Sequence, residues 1–324
     1  MQTKRIDGIL VDPSVKDNFS IMKEKLKQVF VLLKRSAKKY KQDNPMQLAG
    51  TTAFFAIFAM APLIIIIISV AGILLGQEQM QAKLFAEIDQ LLGEQGTQYI
   101  RNIVENFQDT RTGVIGTIIG FVLFIFISTT FFSVMQASLN YIWRIRTKPK
   151  NNLLRTLYDR LISFGLILIL GFIMLVSILV DAGKSLFKDF LDENLPDFTV
   201  FIIGVGNFIV YFALIMLIVG VIYRFLPDAH IKWRVTWVGA LITAFLFVIG
   251  KAIISFGLGI VNIGAMYGAA GSLVLILLWV FYSSLIFFFG AEITQQYAEM
   301  YSHDIKPKDY AVRIEINEVK SEVN

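Results

Sequence analysis

The chain has 324 residues, of which 56% are apolar and 17% charged, and it carries a net charge of +5. Globular chains run at about 45–50% apolar and about 25% charged, so this composition excludes an ordinary water-soluble enzyme, a collagen-like chain and a disordered one. Cysteine is absent, which removes disulfides, thiolate metal ligands and a thiol nucleophile.

Residues 1–47 are polar and basic, with no secretory leader, and form an expected cytoplasmic segment. Asp12-Pro13 supplies a cap and first-turn pair. Phe19, Met22, Leu26, Val29, Phe30, Leu33, Ala37 and Tyr40 then recur at helical spacing, opposite Lys23, Lys25, Lys27, Lys34, Arg35, Lys38, Lys39 and Lys41. This pattern predicts a basic amphipathic helix lying on an anionic membrane surface. Asp43-Asn44-Pro45 ends it.

Six charge-free runs follow, at 44–77, 112–143, 161–180, 198–223, 235–250 and 252–291. A bilayer-crossing helix needs about 20 apolar residues. Five of the runs reach that length alone, and the 16-residue run is interrupted only by Lys251. Spans are expected near 48–75, 113–137, 159–181, 201–223, 235–258 and 272–296, within a membrane domain covering 48–296. Pro62, inside the first span, removes one backbone donor and predicts a kink or broken turn.

The outer loop 76–112 carries two short apolar stripes. Leu84, Ile88, Leu91 and Leu92 make one; Ile100, Ile103, Val104 and Phe107 make the other, after Gly93 and Gly96. Two short amphipathic helices resting on the outer surface are expected there. The tail 297–324 is polar and mixed in charge, and is expected to be loosely ordered from Ser302 onward. The fold class is therefore an all-α integral membrane protein, with six transmembrane helices plus amphipathic interfacial helices.

Loop charge orients the chain. Segments 1–47, 138–158 (with Arg160), 224–234 and 297–324 hold 24 Lys and Arg, whereas 76–112, 182–200 and 259–271 hold 5. The positive-inside rule then puts both termini in the cytoplasm. Trp143, Trp233 and Trp237 fall at cytoplasmic edges, where amphipathic rings are favoured.

Several segments resemble one family. They are Tyr-Arg-Phe-Leu-Pro at 223–227, Trp233-Arg234, Gly239-Ala240, Met266-Tyr267-Gly268-Ala269-Ala270-Gly271-Ser272, Leu278-Trp279 and Gly290-Ala291-Glu292-Ile293. Ala53-Phe54-Phe55 leading to Ala61-Pro62-Leu63, and Leu139-Asn140-Tyr141-Ile142-Trp143, fit as well. Over about residues 20–300 the chain resembles the YihY/BrkB family of bacterial inner-membrane proteins, some of them long labelled ribonuclease BN. The resemblance implies six spans and an inner-membrane location.

The nuclease label does not suit these residues. Metal-assisted phosphodiester cleavage needs clustered carboxylates or histidines, and the two histidines, His230 and His303, are far apart in sequence. No metal, no cofactor and no nucleic-acid partner are expected, and no phosphate-binding GxxxxGK[ST] motif occurs. The chain is expected not to be an enzyme.

Lys251 is the sharpest candidate, a cation about 24 Å into a span by helical rise. Such groups snorkel, pair with an acid, or serve a substrate path. Asp181, at matching depth on the third span, is the expected partner. Glu292 lies near the cytoplasmic face with Arg224 and Arg144, as a rim salt bridge or an inner gate that opens when the pair breaks. Asn207, Asn140 and Gln136 are expected to bond between helices, with substrate contact as the alternative. Gly264, Gly268 and Gly271, with Gly257 and Gly259, point to close helix packing or a re-entrant turn. Phe287, Phe288 and Phe289 are expected to be lipid-facing or core.

Polar groups inside spans and a kinked first span favour a transporter or exporter. Interfacial helices and few intramembrane charges favour lipids or amphiphiles as its substrates, with membrane lipids as partners and anionic lipid at the N-terminal helix. The alternative is a non-transporting scaffold or regulatory partner of envelope machinery.

Overall fold

The computed structural model describes residues 13–108, 114–148, 165, 169, 172–173, 196–260, 271–301 and 303–315. Most of the third span at 159–181, with Asp181, the segment 261–270 with Gly264 and Gly268, and the outer segment 182–195 lie outside the described residues. Seven long helices are described: α1 (Pro13–Gln42), α2 (Pro45–Leu75), α3 (Gln77–Gln108), α4 (Val114–Ile142), α5 (Pro196–Phe225), α6 (Trp233–Ile260) and α7 (Gly271–Met300). Four short strands accompany them: β1 (Ile145–Thr147), β2 (Ala229–His230), β3 (Lys306–Pro307) and β4 (Ala311–Arg313).

Three stretches, Ile203–Phe225, Trp233–Ile253 and Leu273–Met300, are long and apolar enough to cross a membrane. α2 and α4 add 31 and 29 helical residues over the first two expected spans. α2 runs helical straight through Pro62, so no turn is broken there. A mid-helix proline removes one backbone bond, and the rest of a long, packed helix holds its neighbours.

α1 starts at Pro13, as the Asp12-Pro13 pair predicts, and ends before Asp43-Asn44-Pro45; α2 then starts at Pro45, ahead of the expected 48. Asn44 between them takes φ 50°, a left-handed turn that asparagine tolerates, and its carbonyl accepts from the N–H groups of Gln47 and Leu48. Gly76, at φ 87°, makes the matching turn between α2 and α3, where a side chain would be strained.

α3 is helical from end to end, but it is not straight. The Arg101 guanidinium lies 4.3 Å above the Phe85 ring, and 16 residues along a straight helix would separate them by about 24 Å. The helix therefore bends sharply between them. One continuous helix stands where two short amphipathic ones were expected, and part of each stripe is buried in the bundle. Leu84, Ile100 and Val104 from the two stripes are buried with Met80 and Phe85 against Ile64 and Ile68 of α2 and Ile276 of α7. A packed apolar partner was available, and side-chain burial follows it. This end of the bundle is called distal below.

The opposite, proximal end carries α1, the α4 terminus, the α5–α6 connection and the tail. Here the tail departs from expectation. α7 continues to Met300, and residues 303–315 pair antiparallel with both connections. β4 lies on β1, with Ile145 opposite Arg313 and Thr147 opposite Ala311. β3 lies on β2, with Ala229 opposite Pro307. Polar composition had suggested loose order, but these backbone groups meet unpaired strands from two other segments.

Trp143 also departs from its expected place. It is buried rather than an interfacial anchor, and its indole N–H donates to the Ala291 carbonyl at 3.0 Å. Phe287 and Phe288 belong to the same core.

Candidate functional site

Among the described residues, two polar clusters and one cation, Lys251, stand out in this apolar frame. The first cluster joins three elements at the proximal end. Two residues past the end of α4, Arg144 takes φ 57°, and its side chain reaches the α1–α2 junction. The Arg144 guanidinium reaches the Asp43 carboxylate at 2.5 Å, and Asp43 is 1% exposed. Glu292 of α7 is fully buried beside them. Its Oε1 accepts from the Gln296 side-chain amide at 3.2 Å, while its Oε2 has no hydrogen-bond partner. Asp43, Lys39 and Arg144 lie within electrostatic reach of it.

The expected rim pairing of Glu292 is thus not what forms. Arg144 is engaged by Asp43, an acid that sequence reasoning passed over as a helix breaker. Arg224 stacks over Trp233, 5.4 Å from its ring centroid, and Trp233 in turn stacks on Trp237. Among the described residues no cation lies within ion-pair distance of Glu292. Helix register explains this: Trp143, anchored on Ala291, carries Arg144 past α7 to the α1 side.

α1 closes this cluster from outside. The Tyr40 hydroxyl donates to the Leu285 carbonyl at 2.7 Å, and its ring packs on Phe289. Burial, and then the nearby Glu292 carboxylate, raise the Tyr40 phenol above its ordinary range.

The second cluster is centred on Asp228, which is 2% exposed. Its carboxylate accepts from Gln136 at 3.2 Å, from Asn140 at 2.8 Å and from the Tyr310 hydroxyl at 3.0 Å. The Asn140 carbonyl accepts the Asp228 backbone N–H at 2.9 Å. The Asn140 amide therefore clamps the connection from both sides, and the tail locks onto it through Tyr310. Asn140 and Gln136, expected to bond between helices, bond instead to Asp228 of the α5–α6 connection. The signal for Asp228 was its place directly after Pro227, an acid in a basic connection.

Above these clusters, α6 and α7 cross at their glycines. A Cβ on Gly239 would collide with the Thr294 hydroxyl, and one on Gly290 with the Thr243 hydroxyl. Each threonine is pinned by a bond to the glycine four residues before it, Thr243 to Gly239 at 2.7 Å and Thr294 to Gly290 at 2.8 Å. Tyr223 of α5 seats its hydroxyl at the crossing, donating to the Phe287 carbonyl.

Lys251 stands apart. Its ammonium lies 4.9 Å from the centroid of the Tyr211 ring on α5. Among the described residues no carboxylate lies within ion-pair distance of it. Asn207 is exposed on α5 beside Phe208 and Ile209. Gly271 is buried at the first residue of α7. Lys251 and Asn207 thus share the α5–α6 pair, and neither joins Glu292.

No solved structure matches this chain. Among curated relatives, a UPF0761 membrane protein of Idiomarina loihiensis is 27% identical over 233 residues, covering 72% of this chain and 77% of its own. One of Psychromonas ingrahamii is 25% identical over 281 residues, covering 85% and 90%. One of Alteromonas mediterranea is 23% identical over 283 residues, with the same coverage. The family described as virulence factor BrkB matches residues 36–314, a stretch that takes in the Asp43–Arg144 pair, the Asp228 clamp, the glycine crossing and Lys251. The chain is a membrane protein and belongs to the BrkB family.

Proposed function

We propose that the chain is a six-span inner-membrane transporter of lipids or other amphiphiles, with both termini in the cytoplasm. The observation that carries this reading is Lys251. It sits 18 residues into α6, about 27 Å from that helix's proximal start, with a tyrosine face as its described neighbour. A cation at such depth is expensive unless something anionic answers it. A phospholipid phosphate is an anion that arrives attached to its own apolar tails. The same two helices also carry surface for those tails: Phe208 and Ile209 on α5, and Phe245, Ile249 and Ile253 on faces of α6 away from Lys251, are exposed large apolar side chains. Asp181, on the third span, is the proposed counter-charge when no lipid is bound. The excess of Lys and Arg in the proximal connections supports the orientation.

The test is translocation of a fluorescent short-chain phospholipid in proteoliposomes. Wild type moves the lipid between leaflets. Lys251→Met elutes and melts like wild type but loses roughly tenfold or more of the rate, the scale of one lost charged contact, and Lys251→Arg keeps most of it. Full activity in Lys251→Met would sink the assignment of Lys251. A wild type that moves no amphiphile returns the protein to the scaffold reading.

A further inference from the structure

α1 packs on α7 with one face and leaves another bare. The packed face is Leu32, Ser36 and Tyr40, each four residues from the next; Leu32 and Ser36 are buried. The strongly apolar stripe lies to one side of it and is exposed: Met22 is 50% exposed, Leu26 64%, Val29 49%, Phe30 66% and Leu33 36%. At 100° per residue, Lys23, Lys27, Lys34, Lys38 and Lys41 line the far flank of that stripe. The apolar face is therefore not the one used to hold α1 on the bundle.

Its depth follows from two contacts. Tyr40 packs on Phe289, and the Tyr301 hydroxyl donates to Gln28 at 3.1 Å. Each pair of positions is twelve residues apart on its own helix, so α1 and α7 run antiparallel over about 18 Å. Val29 through Lys38 then stand level with about the last ten residues of α7. α7 begins at the distal end at Gly271, so its last ten residues lie about 30–43 Å along it. The hydrocarbon core is about 30 Å thick, and about 40–45 Å with both headgroup layers. Phe30 and Leu33, with Lys34 and Lys38 beside them, fall at the depth of the proximal headgroups.

We infer that this face of α1 binds anionic phospholipid headgroups of the proximal leaflet, with Val29, Phe30 and Leu33 inserted among the acyl carbons nearest the headgroups and the flanking lysines on the phosphates. Charge decides the occupant. Between Met22 and Lys41 the helix holds eight basic residues and one acid, Glu24. A second copy of this face would set eight more cations against them, whereas an anionic leaflet neutralises them. The inference rests on α7 crossing the bilayer, as proposed above, but not on transport or on Lys251.

Because the chain has no cysteine, Phe30→Cys carries a single environment-sensitive fluorophore. Labelled full-length protein is placed in nanodiscs of phosphatidylcholine alone, or of phosphatidylcholine with one-third phosphatidylglycerol. Arg35→Cys, on the opposite side of α1, serves as reference, and Leu26→Cys is a second reporter should Phe30→Cys fold poorly. In the anionic discs the fluorophore at position 30 shifts to the blue and is quenched by acrylamide roughly threefold less than the reference, and high salt reverses this. Lys27→Gln, Lys34→Gln and Lys38→Gln together abolish the difference between discs. Equal, water-like quenching in both discs overturns the inference. So does equal protection in both, which would remove the role of charge, and so does protection found only with two copies per disc, which would mark self-association. Loss of lipid translocation in Lys251→Met, or its absence in wild type, leaves these readouts unmoved.

Discussion

Arg144→Met tests the junction that ties α1, α4 and α7 together. Asp43 is 1% exposed, and the Arg144 side chain is 11% exposed. Removing the guanidinium leaves the Asp43 carboxylate buried beside a second buried acid, Glu292, without its ion-pair partner. Breaking a buried pair from one side costs about 3–5 kcal/mol. The small exposure of Arg144 admits some screening and favours the lower figure. The loss of its contact with the Tyr141 ring, 5.3 Å away, adds about 0.5–1 kcal/mol. Methionine keeps the Cβ that arginine already holds at φ 57°, so no new backbone strain enters. At about 2.1 cal/mol/K of unfolding entropy per residue, each kcal/mol moves Tm of a chain this long by about 1.5 °C, so a fall of roughly 4 °C or more is expected in thermal unfolding of the purified protein. Asp43→Asn with Arg144→Met recovers most of it, because the buried charge leaves with its partner. The reasoning is refuted if Arg144→Met melts within about 2 °C of wild type, or if the double variant is no more stable than the single.

Three further outcomes follow from the same geometry. Gly239→Ala forces its new methyl into the Thr294 hydroxyl and near the Gly290 carbonyl at 3.2 Å; the expected loss is about 1–3 kcal/mol by thermal melting, relieved when Thr294→Ala is added. Asp228→Asn turns an acceptor of three side-chain bonds into a half-donor, so amide exchange across 303–315 accelerates while exchange in the α2–α3 core stays unchanged. Tyr40→Phe removes the bond to Leu285, costing about 1 kcal/mol, and frees α1 for proteolysis. Since the folded phenol titrates above the ordinary 10.0, its stabilisation is complete below pH 10 and is lost as pH rises from there through the raised value. Tyr40→Phe therefore melts with a flatter alkaline limb than wild type in a pH series.

The membrane character, the positions of the helices and their caps could be read from the chain because each depends on local composition and spacing. Pro13, Pro45 and the charge-free runs fall where the helices begin and extend. Non-local partners could not be read that way. Trp143 looked like an interfacial anchor because its chemistry suits that place; only the crossing of α4 and α7 makes it an interior donor. Arg144 looked like a partner for Glu292 on grounds of depth, and one turn of backbone at positive φ gave it to Asp43 instead. Polar composition misled at 303–315, because it measures how little apolar surface a segment can bury and says nothing of strand partners elsewhere. The stripe of α1 was identified correctly, but its docking side was not: Leu32, Ser36 and Tyr40 are too mixed in character to register as a face.

Several of the residues that carry the family resemblance do one kind of work. Tyr223, Gly239 and Gly290 build the α6–α7 crossing, Asn140 clamps Asp228, and Trp143 and Ala291 meet in a single hydrogen bond. All lie in the proximal half, where the tail adds its two ladders. None opens a path. Bringing amphiphile through this end would break buried hydrogen bonds of about 1 kcal/mol each, and more where Asp43 or Asp228 is involved. The α5–α6 pair is different. Lys251 meets Tyr211 there, and the outer faces of the same two helices expose Phe208, Ile209, Phe245, Ile249 and Ile253, where bound tails displace only other tails. On the proposed reading, the lipid path therefore runs along this lipid-facing side, and the proximal half is the fixed base against which it works.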